Sequence, residues 1–397
     1  MKNWFRYLSK KQKIQMGMTL LLMGMIVLMG YWLQPKGKKI ASNRFNTRNS
    51  ISDIAPNLGV TGKALARELK LKLDVPKKKP LNQLGIDEDR LRQAIEHLLS
   101  HKDTTIKYYL YFALCIGALF YILILGRPAR SDIEMRKNWY PRFPYIMILL
   151  ISVTACGFLL GKSPNPMEGV VKVFKSMVGL YPDILVKLMA LVFFIFLVVI
   201  GNKIICGWAC PFGALQELIY SLPVLKKIKK RKLPFWFANS IRGGLFLVMV
   251  ILLFGFIGGK KGLVIYHYIN PFNLFDLDFE SIGVLLMIGT VFILGFGVYR
   301  PFCQLVCPFG FVSWLFEKIS FNRVRVNHED CTLCGACIRA CPNEAAKGIV
   351  EQKKLGADCY SCMRCLNSCP VDAIHYGSVL KSKNKMGSGL DNNPILK

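Results

Sequence analysis

Residues 331–342 read CTLCGACIRACP, and residues 359–370 read CYSCMRCLNSCP. Each stretch follows the pattern Cys-x2-Cys-x2-Cys-x3-Cys-Pro, which is the ligand spacing of bacterial proteins that hold two [4Fe–4S] clusters. Three cysteines on a tight loop can wrap one corner of a cubane, while the fourth crosses to the other cluster. The proline then redirects the chain and removes an unneeded N–H group.

This spacing predicts two sets of four cysteine ligands. The sets are Cys331, Cys334, Cys337 and Cys369 for cluster 1, and Cys341, Cys359, Cys362 and Cys365 for cluster 2. Zinc would favour pairs of cysteines separated by a longer gap. Disulfides are not expected of so dense a group of thiols facing a reducing compartment. Both alternatives fit the spacing less well than two cubanes do.

The composition is typical of a helical membrane protein. Of 397 residues, 53% are hydrophobic, yet the formal net charge is +29. Apolar runs of membrane length alternate with basic loops, which predicts about six transmembrane helices. The predicted spans are residues 14–33, 106–126, 143–161, 184–201, 241–258 and 284–299. A nucleic-acid binder could carry the same charge but would lack these long apolar segments, so we expect no nucleic-acid partner.

The distribution of basic residues predicts the orientation in the bilayer. Residues 1–13, 127–142 and 202–240 are basic and belong on the cytoplasmic side by the positive-inside rule. The first apolar run is long for a signal peptide and no cleavage site follows it, so we interpret it as an uncleaved anchor. We therefore predict a multi-pass protein of the cytoplasmic (inner) membrane of a bacterium or archaeon, with both termini cytoplasmic.

These features together predict an α-helical membrane protein with an internal repeat and a C-terminal α+β domain that holds two [4Fe–4S] clusters. The predicted parts are an N-terminal anchor helix (1–34), a small helical extracytoplasmic module (35–105), a second transmembrane helix with a basic cytoplasmic loop (106–142), a four-helix membrane core with two repeats (143–320), the two-cluster domain (321–380) and a polar tail (381–397). Residues 167–178 are amphipathic, which predicts a helix lying in the outer membrane interface.

The internal repeat carries a second cysteine motif. Residues 204–219 read IICGWACPFGALQELI and residues 300–316 read RPFCQLVCPFGFVSWLF, with Cys-x3-Cys-Pro-Phe-Gly in common, 97 residues apart. The cysteines are Cys206, Cys210, Cys303 and Cys307. In a continuous helix each pair would share one face. Brought together, the four thiols could hold an additional iron–sulfur or metal centre or act as dithiols, or they could be structural cysteines.

The two Cys-x3-Cys-Pro-Phe-Gly motifs followed by the double cubane motif resemble the NapH/NosR-type membrane ferredoxins, which are polyferredoxin-like quinol dehydrogenase subunits. The resemblance covers roughly residues 143–378. It implies electron exchange between the membrane quinone pool and a protein redox partner. Residues 35–105 lie outside it and show no flavin-attachment motif. A copper-reducing or oxidase-assembly ferredoxin and a redox-sensing membrane protein are the alternatives.

Quinol oxidation would also need a proton acceptor. The loop at 266–279 offers His267, Asp276 and Asp278 as candidates, although ordinary loop polarity explains them equally well. No other catalytic residue is indicated. No haem is expected, because no C-x-x-C-H motif occurs and none of the five histidines lies in the middle of a predicted span.

Overall fold

The computed structural model describes most of the chain and divides it into two compact units. The described residues are 10–32, 45–58, 62–71, 76, 79–100, 105–125, 142–180, 184–222, 231–256, 264–277, 279, 282–353 and 356–378. One unit runs from Leu28 to Tyr108, and the other comprises Met1–Val27 and Tyr109–Lys397.

The described residues are mostly helical. The α-helices are α1 (Lys10–Trp32), α2 (Ile51–Leu58), α3 (Gly62–Glu68), α4 (Glu88–Ser100), α5 (Thr105–Leu125), α6 (Arg142–Ile151), α7 (Pro166–Met177), α8 (Ile184–Gly201), α9 (Pro211–Ser221), α10 (Phe235–Phe254), α11 (Ile265–Tyr268), α12 (Ile282–Gly295), α13 (Pro301–Leu305), α14 (Pro308–Phe316), α15 (Ala336–Ala340), α16 (Ala345–Val350) and α17 (Arg364–Ser368). Two π-helical stretches, Ser152–Leu159 and Ile205–Ala209, and three 3-10 turns, Leu81–Leu84, Pro271–Asp276 and Glu317–Ile319, complete the helical elements. Strands β1 (Asn322–Val326) and β2 (Ile374–Ser378) form an antiparallel pair.

The unit from Leu28 to Tyr108 has its own apolar core. Ile51, Ile54 and Leu58 of α2 are buried with Leu65 of α3 and Ile95 of α4. The side chain of the residue before α4, Asp87, accepts a hydrogen bond of 2.8 Å from the amide of Glu88 and so satisfies one of the free N–H groups at the start of that helix.

Helices overlap all six predicted spans, and three of them are long and apolar enough to cross a membrane. These three are residues Ile106–Leu123, Ile184–Gly201 and Phe235–Phe254. Tyr145–Leu159 and Ile282–Gly295 are shorter apolar helices. Many large apolar side chains of α8 and α12 are exposed in the isolated protein, as expected of surfaces that face lipid. The count of six spans stays a prediction.

Helix α7 differs from the interfacial helix predicted for residues 167–178. Its apolar side chains, including Val170 and Val173, are buried because α7 packs against α8 and α14 within the protein. The side chain of Asn165 caps it by accepting a 2.8 Å hydrogen bond from the Glu168 amide, and Pro166 occupies the first turn. The sequence pattern indicates an amphipathic helix but does not say whether lipid or protein covers its apolar face.

The C-terminal part combines short helices with the antiparallel β1–β2 pair, in which Asn322 pairs with Ser378 and Val326 with Ile374. Val324 and Val326 face the interior. Several hydrogen bonds join this part to the end of α8; for example, the Phe321 amide donates to Val199 O at 2.7 Å, and Asn322 Nδ2 donates to Ile200 O at 2.9 Å.

Candidate iron–sulfur sites and the cysteine corners

The eight cysteines of the double motif surround two separate cavities. Cys331, Cys334, Cys337 and Cys369 line one, which we call the outer cavity. Cys341, Cys359, Cys362 and Cys365 line the other, the inner cavity. The described lining of each cavity offers four thiols and neither a carboxylate nor an imidazole. Thiol-only donor sets of this kind suit iron–sulfur clusters or zinc.

The backbone repeats itself around the two cavities. Leu333 and Gly335 in the first cysteine run adopt left-handed conformations, with φ of 52° and 68°, and Ser361 and Met363 do the same 28 residues later, with φ of 50° and 60°. These reversals coil each run before α15 and α17 begin. The fourth cysteine of each run follows its helix in an extended conformation. The same local path therefore presents three cysteines to one cavity and the fourth to the other.

Each Cys-x3-Cys-Pro-Phe-Gly motif forms a corner rather than a continuous helix. Cys206 lies in a π-helical turn and Cys303 in α13. The second cysteines, Cys210 and Cys307, are extended N-caps of helices that begin at the following proline. The Cys307 sulfur accepts a 3.4 Å hydrogen bond from the Gly310 amide. The two cysteines of a motif therefore do not lie on one continuous helix, because Cys-Pro starts a new helix here.

Each corner leaves no room for a side chain on its glycine. A Cβ on Gly213 would lie 2.7 Å from Cys206 O, and one on Gly310 would lie 2.6 Å from Cys303 O. The two glycines therefore make matching backbone contacts in the two halves of the repeat. We call residues 203–213 the first corner and residues 300–310 the second corner.

The two corners meet, so their buried thiols come close together. Burial, and after it the neighbouring Cys303 thiol, raises the pKa of Cys210 to about 12. The same two causes raise the pKa of Cys307. Gln216 of α9 joins the corners directly: its Nε2 lies 3.3 Å from the Cys303 sulfur, and its Oε1 accepts from the Phe302 amide at 3.0 Å.

Each corner sends one buried cation across to the other. Lys203 and Arg300 stand three residues before the first cysteine of their motifs, are fully buried and have φ of 60° and 44°. Arg300 donates to Cys206 O and, at 2.8 Å, to Gly207 O. Lys203 donates to Gly310 O at 3.2 Å. These crossed contacts hold the halves of the repeat together.

The cations also bind buried acids, which lowers the cost of their burial. Arg300 Nε lies 3.2 Å from Glu217 Oε2, and Arg364 of the second cysteine run binds the other oxygen. Lys203 pairs with Asp358, whose second oxygen lies 2.9 Å from Arg242 Nη1. Burial alone would raise the pKa of Asp358, but Arg242 and Lys203 hold it below its ordinary value.

This network attaches the loop of the inner cavity to the first corner. Ser361 Oγ donates to Gly201 O at 3.0 Å, and Trp208 Nε1 donates to Ser361 O at 3.0 Å. The Tyr360 carbonyl presses against Gly207, where a Cβ would collide with it. The Tyr360 ring lies under the guanidinium of Arg300, 5.1 Å from its carbon.

The inner cavity therefore adjoins the membrane half, whereas no residue of that half is among the described residues that line the outer cavity. Tyr299, the residue before the second corner, lines the inner cavity with Tyr360, and the two rings are 5.8 Å apart. The described lining of the outer cavity comes entirely from residues 331–374. Cys334 is exposed at this outer cavity.

Two of the three residues predicted to accept protons, His267 and Asp276, make polar contacts with lysines. His267 Nε2 lies 3.0 Å from Lys175 Nζ. Asp276 pairs with Lys162 at 3.1 Å and accepts a 2.9 Å hydrogen bond from the Lys162 amide. Asp278 lies outside the described residues.

Within the part of the chain that the structure describes, no three His, Cys, Asp or Glu side chains are arranged to hold one metal ion together. This does not conflict with the two cysteine-lined cavities, because the four ligands of a cubane bind four different irons and need not converge on one point.

Comparisons with known proteins match two of the cysteine-bearing segments to iron–sulfur domains. A "4Fe-4S binding domain" model matches residues 183–232, which contain the first corner, and a "4Fe-4S dicluster domain" model matches residues 301–345, which contain most of the second corner and the first cysteine run. Ferredoxin-type protein NapH of Haemophilus influenzae is 27% identical over 41% of this chain and 55% of its own. Regulatory protein NosR of Stutzerimonas stutzeri is 28% identical over 36% of this chain and 20% of its own. The chain is an iron–sulfur protein of the ferredoxin type, related to NapH and NosR.

A third relative of this ferredoxin-type protein is the putative electron transport protein YccM of Escherichia coli, 26% identical over 45% of this chain and 52% of its own. The chain thus spans about half the length of YccM and NapH. No solved structure matches it.

Sequence reasoning missed the buried ions at the corners. Lys203 and Arg300 are 97 residues apart, the same offset as the cysteines, and this offset was the signal that could have found them. Asp358, Glu217 and Arg242 carry no such signal, because their partners are distant in the sequence.

Proposed function

We propose that this protein relays electrons between the membrane quinone pool and a protein redox partner through two [4Fe–4S] clusters on the cytoplasmic side of the membrane. The observation that carries the proposal is the junction between the inner cavity and the corners. Tyr299, the residue before the second corner, and Tyr360, whose ring packs against Arg300 of that corner, both line the inner cavity. Close by, Asp358 pairs with Lys203 of the first corner and with Arg242. A cluster in the inner cavity would therefore be packed against the membrane half rather than carried on a free domain.

The proposed ligands are the two predicted sets. Cys331, Cys334, Cys337 and Cys369 would hold the outer cluster, and Cys341, Cys359, Cys362 and Cys365 the inner one. Bound cubanes supply one-electron transfer, which suits a relay and not two-electron bond chemistry. The protein's own part is to hold the two sites side by side. It does so because Cys341 of the first cysteine run lines the inner cavity and Cys369 of the second run lines the outer one.

The corners are the proposed place where the membrane half meets the relay. Their four thiols are mostly buried, and Gln216 fixes the Cys303 sulfur. We propose that Cys206, Cys210, Cys303 and Cys307 form an additional redox site, as a dithiol pair or a further iron–sulfur or metal centre. The absence of a side chain at Gly213 and Gly310 supports a functional corner, because it lets the cysteine backbones approach closely.

The membrane arrangement belongs to the same proposal: six spans, both termini cytoplasmic, and the predicted domain boundaries. Its support is the set of three helices of membrane-spanning length and the basic loops between the apolar runs. Reporters fused after residue 100 and after residue 397 should then report an outside and an inside location, respectively. The reverse result would contradict the arrangement. His267 and Asp276 remain proposed proton acceptors for quinol oxidation.

The experiment that tests the proposal uses full-length protein reconstituted in lipid nanodiscs under anaerobic conditions. Reduced quinol analogues are added, and cluster reduction is followed by electron paramagnetic resonance, with dithionite as the reference for full reduction. We expect quinol to reduce the clusters in the wild type, and Cys206→Ser and Cys303→Ser to slow this step. Iron content then separates the two forms of the corner site, since it should fall if the corners hold an iron–sulfur centre and stay unchanged if they act as dithiols. Unchanged reduction in both variants would remove the corners from the relay.

A further inference from the structure

A third cavity of this protein differs in character from the two that are lined by cysteines. It is an open cleft of about 440 Å³ between β1 and α16, which is large enough for a ligand. Basic side chains dominate its lining: Lys318, Arg323, Arg325, His328 and Lys353. Glu317 is the one acid among the described residues that line it.

Among the described residues, the two arginines of this cleft have no acidic partner, whereas Lys353 pairs with Glu351 at 2.7 Å. Glu317 is already paired, 3.5 Å from Lys203 and 3.4 Å from Lys318. The side chains of Arg325 and His328 make no hydrogen bond or ion pair with any described residue, and the nearest partner of Arg323 is a carbonyl oxygen at 3.4 Å. Burial and then Arg323 lower the pKa of Arg325, as expected of two like charges held together without a counterion.

The cleft lies where a membrane surface is expected. It begins at Asn202, directly after Gly201 ends the membrane-length helix α8. Next to its basic side chains, Leu315, Ile319 and Phe321 are 53%, 64% and 55% exposed. Exposed apolar side chains beside lysine and arginine are typical of a protein surface at the boundary between acyl chains and headgroups.

We propose that this cleft binds the phosphate group of an anionic membrane lipid, whose acyl chains lie along Ile319 and Phe321. Arginine guanidinium groups match phosphate geometry through paired hydrogen bonds. Basic pockets at the cytoplasmic ends of transmembrane helices are known to bind anionic lipid headgroups. A free phosphate would satisfy the arginines but would leave the apolar side chains uncovered, which favours the lipid.

The site also adjoins the inner cavity, because Cys359 lines both. An anion held here would disfavour reduction of the inner cluster, since local charge sets cluster potentials. This consequence, unlike lipid binding itself, rests on the proposed function.

The test counts bound lipids on the full-length protein by native mass spectrometry, after purification in detergent with equal amounts of phosphatidylglycerol and phosphatidylcholine. We expect the wild type to retain phosphatidylglycerol preferentially. The double variant Arg323→Gln/Arg325→Gln should lose about twentyfold in that preference, since each basic residue near an anionic surface contributes about fivefold. The matched control, Arg231→Gln/Arg339→Gln, removes the same charge from a different basic cavity and should keep it.

Three results would overturn the proposal. The wild type could show no preference, the double variant could keep it, or the control could lose as much as the double variant. Isothermal titration with inorganic phosphate separates the sources, because binding of phosphate as tight as that of the lipid would assign the cleft to a free anion. Lipid counting needs no electron transfer, so its failure and a failure of the proposed relay can be told apart.

Discussion

The buried ion pair at the second corner gives a prediction whose size follows from the structure. Arg300 is fully buried and binds Glu217, Cys206 O and Gly207 O. Removing one partner of a buried ion pair costs about 3–5 kcal/mol, because the other charge stays buried without it. Arg364 still binds Glu217 in an Arg300→Met variant, so we expect the lower end, about 3 kcal/mol.

The assay is chemical denaturation in detergent followed by the fluorescence of tryptophan, because Trp208 is fully buried beside this network. The control is Arg231→Met, which removes an exposed arginine and should change stability by less than about 0.5 kcal/mol. The double variant Arg300→Met/Glu217→Gln should lose less free energy of unfolding than the two single variants lose together, because no unpaired carboxylate is left behind. A loss below about 1 kcal/mol for Arg300→Met, or strict additivity, would refute the reasoning.

Two further predictions concern the packing of Gly207 against the inner-cavity loop and the buried carboxyl of Glu317. Gly207→Ala places a Cβ against the Tyr360 carbonyl, so the loop must move; limited proteolysis should cut residues 356–378 faster than in the wild type, whereas Gly289→Ala, which has open space around it, should change nothing. Equal proteolysis of the two variants would contradict this packing. Burial, only partly offset by Lys203, raises the pKa of Glu317 to about 7, so the folded protein holds a proton that the unfolded chain releases above about pH 4.5. Wild-type stability should therefore fall as pH rises from about 4.5 to 7, and Glu317→Gln should remove this slope and be more stable at pH 8 by up to about 3 kcal/mol. Denaturation curves at pH 5 and pH 8 measure it, and an unchanged slope in Glu317→Gln would disprove the assignment.

The sequence predicted the parts of this protein that depend on local spacing. The double cysteine pattern separates the eight thiols into the same two groups that surround the two cavities, because the crossing of Cys341 and Cys369 is built into that spacing. The repeat of 97 residues predicted paired corners, and the corners do meet.

What the sequence could not predict depends on contacts between distant segments. A lysine before a cysteine motif reads as an ordinary basic residue until Asp358, 155 residues later, is brought against it. The apolar face of α7 could not be assigned to lipid or protein for the same reason. In contrast, the start of a new helix after Cys210 and after Cys307 follows from the local sequence. Proline favours the first turn of a helix, and the residue before it then takes the N-cap position.

The order of electron transfer tests the account most directly. Freeze-quench paramagnetic resonance after mixing oxidised protein with quinol would follow each cluster, with Cys334→Ser marking the signal of the outer one. Because the inner cavity alone adjoins the membrane half among the described residues, we predict that the inner signal appears before the outer one. Reduction of the outer cluster first, or no reduction by any quinol in protein that dithionite reduces fully, would contradict the account.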